Sequence, residues 1–246
     1  MAPLINYINS NKYNAIATLK PIEKRNTKPN KTTSNQSLTN TKVASLIGSG
    51  LGTLIYLFAL SKFNKGKNFK PKDLLNINFK NMFKVMGLAT SSVIGGLTGG
   101  LITDKKENQK AKIKEAIHQF LGNIITPITI VGIACNIIEK KKMSQTKEIL
   151  MSGLSAIIGV TAGVTGGNHI ASKINEKLFK ENDNRKLTIK DFGIHVDDLL
   201  TVAALSPSLG EKITKFTSKA LPLIFLICGY EAGTKTQEDI TQNLTK

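Results

Sequence analysis

Apolar and charged residues are segregated along this chain. Four runs without Asp, Glu, Lys or Arg cover 43–61, 85–103, 116–138 and 149–172, and nearly all the charge lies between them. A helix needs about 20 apolar residues to cross a bilayer, with a range near 17 to 25. Each run meets that length, and a helix in water rarely goes so far without a charge on its outer face. Lysines bracket the runs: Lys42 and Lys62, Lys84 and Lys105, Lys114 and Lys140, Lys147 and Lys173. Such side chains keep their stems in hydrocarbon and their ammonium groups among headgroups. The pattern predicts an all-α, multi-pass helical membrane protein with four spans.

The flanking segments read differently. Residues 1–42 are rich in Asn, Thr, Ser and Lys and have no apolar period, which predicts a disordered basic tail. Residues 43–235 form the helical membrane domain, with 104–115 as a basic loop, and 236–246 form a polar C-terminal tail. After the fourth run, TIKDFGIHVDDLLTVAAL opens with Thr188 and Asp191 in capping-box spacing. Phe192, Val196, Leu199, Leu200 and Ala203 then share one face, so a short interfacial helix is expected there. Over 213–233 the uncharged core, 220–230, is short and holds Pro222. A fifth span there is left open.

Small residues recur at a helical period inside the runs. GLATSSVIGGLTGGLIT puts Gly87, Ser91, Gly95, Gly99 and Thr103 every fourth position, with Ser92, Gly96 and Gly100 alongside. The fourth run repeats the device with Ser155, Gly159, Gly163, Gly167 and Ala171, and the first has Ala44, Gly48 and Gly52. In lipid, such strips let backbones approach, and van der Waals contact replaces the hydrophobic drive that lipid cannot supply. In water, each Gly in a helix costs about 1 kcal/mol relative to Ala. In hydrocarbon the backbone has no other partner, so the helix is kept. Glycine-zipper packing through Gly48, Gly52, Gly87, Ser91, Gly95, Gly99, Ser155, Gly159, Gly163 and Gly167 is therefore expected. GGLTGG at 95–100 also matches AGVTGG at 162–167, and each precedes a helix with a proline, Pro127 or Pro222. This suggests a duplicated helix pair, a common plan in transporters.

Charge sets the expected partners. The net charge is +17, carried almost wholly by Lys, with arginine only at Arg25 and Arg185. Besides the bilayer itself, anionic lipid headgroups are the natural partner. Nucleic acid is disfavoured, since no recognition motif and few stacking aromatics accompany the lysines. A slight excess of lysine on the side of the N-terminal tail predicts a cytoplasmic N-terminus. Cys135 and Cys228 sit inside apolar stretches and read as buried free thiols.

Candidate chemistry is sparse. The four-span topology puts His118, His169 and His195 on one side, near Asp197 and Asp198, and Glu231 follows the last apolar stretch. These residues form the candidate polar site. No HxxxH or HExxH spacing marks a metal, and no nucleophile elbow, phosphate loop or dinucleotide fingerprint occurs. No catalytic residue, metal or cofactor is expected. The expected function is a non-enzymatic, self-associating membrane scaffold or assembly component, a homo-oligomer among its partners. The alternative is a small channel or transporter.

Overall fold

The computed structural model describes residues 31–66, 69–77, 79, 81–141, 143–183 and 210–239. Contacts separate Met1–Ser34 from Asn35–Lys246. The first unit is described only over 31–34, and the second holds the helical bundle. The long elements are all helical: α1 (Lys31–Lys65), α2 (Met82–Thr103), α3 (Lys106–Lys140), α4 (Gln145–Phe179) and α5 (Gly210–Thr234). A 3-10 turn, Pro71–Asn76, lies between α1 and α2. Within α3, residues Gln119–Ile125 form a π-helical segment. Four helices, including Leu38–Lys65 of α1 together with α2, α3 and α4, are long and apolar enough to cross a membrane.

The helices meet at positions where only glycine fits. A Cβ at Gly48 or Gly95 would collide with the carbonyl of the other, a Cβ at Gly52 with that of Ser91, and a Cβ at Gly99 with that of Ala44. These pairs run in opposite order, so α1 and α2 are antiparallel. On its neighbouring face α2 meets α5 in the same way. A Cβ at Gly96 would strike the carbonyl of Gly229, and one at Gly100 that of Gly233. Here the order is the same, so α2 and α5 are parallel. Hydroxyls close this seam: Ser92 Oγ donates to the Phe225 carbonyl at 2.6 Å, Ser49 Oγ to the Leu226 carbonyl at 2.9 Å, and the two oxygens lie 2.7 Å apart. Across the bundle, Gly159, Gly163 and Gly167 of α4 lie against Val131, Pro127 and Leu121 of α3 in antiparallel order.

Side-chain size sorts by face in an inverted way. In α1 the fully buried positions include Thr41, Ser45, Ser49 and Thr53, whereas Leu46, Ile47, Leu51, Leu54, Ile55 and Phe58 point outward. α4 repeats this: Ser152, Ala156, Gly159, Gly163 and Gly167 are buried, and Leu150, Leu154, Ile157 and Ile158 are exposed. α2 and α5 supply the larger core residues, Val85, Leu88, Val93, Leu221 and Phe225.

Several expectations change. Helix α1 begins at Lys31, within the stretch assigned to a disordered tail, and Thr41 of that stretch is fully buried. Ser45 Oγ of the first run donates to its carbonyl at 2.8 Å, so a threonine that reads as tail shares the buried face of that run. The 104–115 loop is a turn at Asp104 and Lys105 followed at once by helix. Lys112 and Lys114 of that stretch are buried rather than solvated. The segment 213–233 is helical within α5, and its Gly229 and Gly233 fill the α2 seam. A duplicated helix pair would map the α2–α5 contact onto α4–α3, but one is parallel and the other antiparallel. The repeat is therefore not expressed in the packing. The interfacial helix expected near 188–203 lies outside the described residues.

The seams make a direct test. Gly95→Ala and Gly96→Ala should each destabilise the detergent-solubilised protein by roughly 1–3 kcal/mol, because the added methyl meets backbone that cannot move aside. Gly50 and Gly153 have nothing within 4 Å of an added Cβ. Alanine there should be neutral or stabilising by up to about 1 kcal/mol. Thermal or denaturant unfolding of the four variants would show the split.

Candidate functional site

Polar residues gather at one pole of the bundle, where α2, α4 and α5 end and α3 begins. The first cluster forms around Asp104, the residue at which α2 stops. The Lys112 ammonium, with a fully buried side chain, lies 2.7 Å from the Asp104 carboxylate and donates to the Lys235 carbonyl at 2.9 Å. Asn108 also donates to Asp104, and with Lys112 it falls on the same face of α3 at four-residue spacing. Burial alone would push the Asp104 carboxyl up. The hydrogen bonds from Lys112, Asn108 and the Lys105 backbone, with the charge of Lys112, outweigh it and hold the group below the usual aspartate range.

The second cluster is centred on Gln119, the first residue of the π segment. Its amide nitrogen donates to Glu115 and to Glu231 of α5, each at 3.0 Å, and its oxygen accepts from Asn123 at 2.8 Å. Lys235 lies 3.6 Å from the other Glu115 oxygen. One neutral amide thus bridges two carboxylates from different helices.

The third cluster holds His118. Its Nδ1 is 2.9 Å from Asn168 Oδ1 and its Nε2 is 3.1 Å from Asp183 Oδ2. Asn175 donates to the same Asp183 oxygen at 2.6 Å. Burial pushes Asp183 up, but the bonds from His118 and Asn175, with the charges of His118 and Lys114, bring it below the aspartate range. Lys110 and Lys114 both face the exposed Glu181 and stack 5.6 Å from the Phe179 ring centre. The bond from Lys110 leads in holding the Glu181 carboxyl down.

Of the residues expected to share a polar site, the pole brings together His118 and Glu231. His169, next to Asn168 in α4, is exposed. His195, Asp197 and Asp198 lie outside the described residues. The larger part of the network, Lys112, Glu115, Gln119, Asn168, Asn175 and Asp183, goes beyond the sequence expectation. The Asp104, Asn108, Lys112 spacing is visible in the sequence, but a lysine-rich stretch reads first as a solvated loop. Among the described residues, no group of three His, Cys, Asp or Glu could hold a metal ion.

The helix-packing residues also find definite places. Gly48, Gly52, Ser91, Gly95 and Gly99 floor an open groove of about 620 Å³ on the α1–α2 face, walled by Ile47, Leu51, Ile55, Ile94 and Ile102. Gly87 faces the Tyr56 ring, and Ser155 is half-buried with its hydroxyl bonded to the Ser152 carbonyl. The groove is aliphatic, which suits hydrocarbon and offers a polar solute nothing.

Two outcomes are expected at the pole. Lys112→Met leaves the Asp104 carboxylate buried beside an apolar chain, a loss of about 3–5 kcal/mol, whereas the double change with Asp104→Leu should recover most of it. Unfolding of the single and double variants tests this. Asp104 and Asp183 are both depressed in the folded state, so their stabilisation is present above the ordinary aspartate range. It should be lost as the pH falls, between about pH 5 and pH 2. An acid titration of unfolding should flatten in Asp104→Asn and Asp183→Asn.

No protein-family model, curated protein or solved structure matches the chain.

Proposed function

We propose that the chain is an integral, multi-pass membrane protein with a non-enzymatic role as a membrane scaffold or assembly component. The inverted faces of α1 and α4 carry this reading. Their large aliphatic side chains point outward while glycine, serine and threonine are buried. In water that arrangement gives up the main driving force of folding, about 25 cal/mol for each Å² of apolar surface left exposed. Against lipid tails it costs nothing, and small residues inside permit the close helix contacts that association in lipid requires. Glycine-zipper contacts then hold α1, α2 and α5 together, and α3 to α4. Their small residues are engaged within one chain, so a second copy would meet the outer aliphatic ridges instead. Lysines at both ends favour anionic headgroups.

α5 packs on α2 within the same scheme and runs parallel to it. Lys215 and Lys219 stand at its exposed beginning, and Glu231 joins the polar pole at its end.

A second reading, a small channel or transporter, has the buried ionisable pole and the π segment in its favour, because both features concentrate at functional sites. The broken repeat counts against it.

Carbonate extraction, crosslinking in native membranes and a liposome flux assay test the proposal together. The scaffold reading expects the chain to stay in the membrane pellet, to crosslink to itself or a neighbour, and to pass no ion or solute. Release by carbonate would overturn the membrane reading. Flux abolished by Glu231→Gln would replace the scaffold with the transporter.

A further inference from the structure

We propose that His118, Asn168 and Asp183 form a proton-binding site in which the imidazole carries a proton on both ring nitrogens. The proposal rests on the geometry of the pole and stands apart from the scaffold reading. Asn168 Nδ2 donates to the carbonyl of Val164, one turn back in its own helix, at 2.8 Å. That bond fixes the amide, because a flipped amide would set its oxygen against the carbonyl oxygen. Asn168 Oδ1 therefore faces His118 Nδ1 and can only accept, so Nδ1 donates. On the other side of the ring, Asp183 Oδ2 already accepts from Asn175. A carboxylate there can only accept from Nε2 as well. Both ring nitrogens are donors, and the ring is an imidazolium clasped between an amide and a carboxylate.

The surroundings are built for this clasp. Gly122 of the π segment lies against Asn168, and a Cβ there would come within 2.7 to 2.9 Å of the amide atoms. His118 itself is 3% exposed, so water does not replace a lost partner. The charged and titratable groups around it are Lys114 and Glu115 on α3, Glu176 on α4, and Glu181 and Asp183 just beyond α4. Glu231 of α5 faces the pole through Gln119, and His169 of α4 is exposed. Asp183 stands where the chain leaves α4, so the proton ties that exit to α3. Removing one ring proton sets a lone pair against either the Asn168 oxygen or the Asp183 carboxylate. The site then changes from a clasp to a repulsion, and the end of α4 is released.

Histidine-selective ¹⁵N NMR on the full chain in nanodiscs reads the ring directly. One histidine resonance at pH 7 should show both ring nitrogens protonated. It should vanish in His118→Gln and lose that signature in Asp183→Asn. Hydrogen exchange gives the consequence. Raising the pH to 9 should speed exchange at the end of α4, beyond the intrinsic rate increase, by roughly tenfold, the loss of one charge-assisted hydrogen bond. Gly122→Ala, which displaces Asn168, should give the faster exchange already at pH 7. A His118 ring found as a neutral single tautomer at pH 7 would overturn the proposal. So would exchange at the end of α4 that follows the intrinsic rate alone between pH 7 and pH 9.

Discussion

Close approach of helix backbones is the constraint on which the rest of this structure depends. At Gly48, Gly95, Gly96 and Gly100 the space for a Cβ is taken by a carbonyl of the facing helix. Three helices share the resulting double seam on α2, with α1 on one side and α5 on the other. Contact at that distance places many atoms within dispersion range, and it brings Ser49 and Ser92 close enough to hydrogen-bond carbonyls on α5. Each such bond contributes modestly, on the order of 0.6 kcal/mol in membrane proteins. Their larger effect is on register. A slip by one residue would place a side chain where the backbone now lies.

The same constraint explains where bulk and charge go. With small residues turned inward, the large aliphatics of α1 and α4 have only the outer surface left. Charge is then confined to the ends, and at the pole part of it is enclosed within the protein. Lys112 is fully buried, yet its ammonium meets the Asp104 carboxylate and a carbonyl at the end of α5. A buried pair of this kind adds little stability against an apolar replacement, but it penalises any arrangement that separates the partners. It therefore holds the ends of α2 and α5 to the start of α3.

The broad plan is legible in the sequence because period and charge gap are local properties. Runs 85–103 and 149–172 lie inside α2 and α4, and Gly95, Gly99, Gly159 and Gly163 recur at fourfold spacing within them. What escapes depends on tertiary partners. Thr41 resembles a linker residue, and Ser45 and Ser49 mark no face within the first run, since a hydroxyl face is unremarkable until something packs on it. Lys106 to Glu115 reads as solvated, since a lysine is buried only when a carboxylate such as Asp104 waits for it. Gly229 and Gly233 form only one small-residue step, too short to distinguish from chance without α2 beside them. His118 and Asn168 are fifty residues apart. Neither signals the other.

α5 joins the glycine seam to the charged pole. Its apolar core is short for a helix exposed on all sides to lipid. Here α2 covers one face over Leu221, Phe225, Cys228 and Ala232, all buried, so less of its circumference needs to be apolar. The face turned to α2 needs small residues instead, and Gly229 and Gly233 supply them. Where the seam ends, Glu231 turns to Gln119 of α3. A segment too short and too polar to read as an isolated span thus becomes intelligible as a helix packed on its neighbours. Both its glycines and its carboxylate are set by what α2 and α3 present to it.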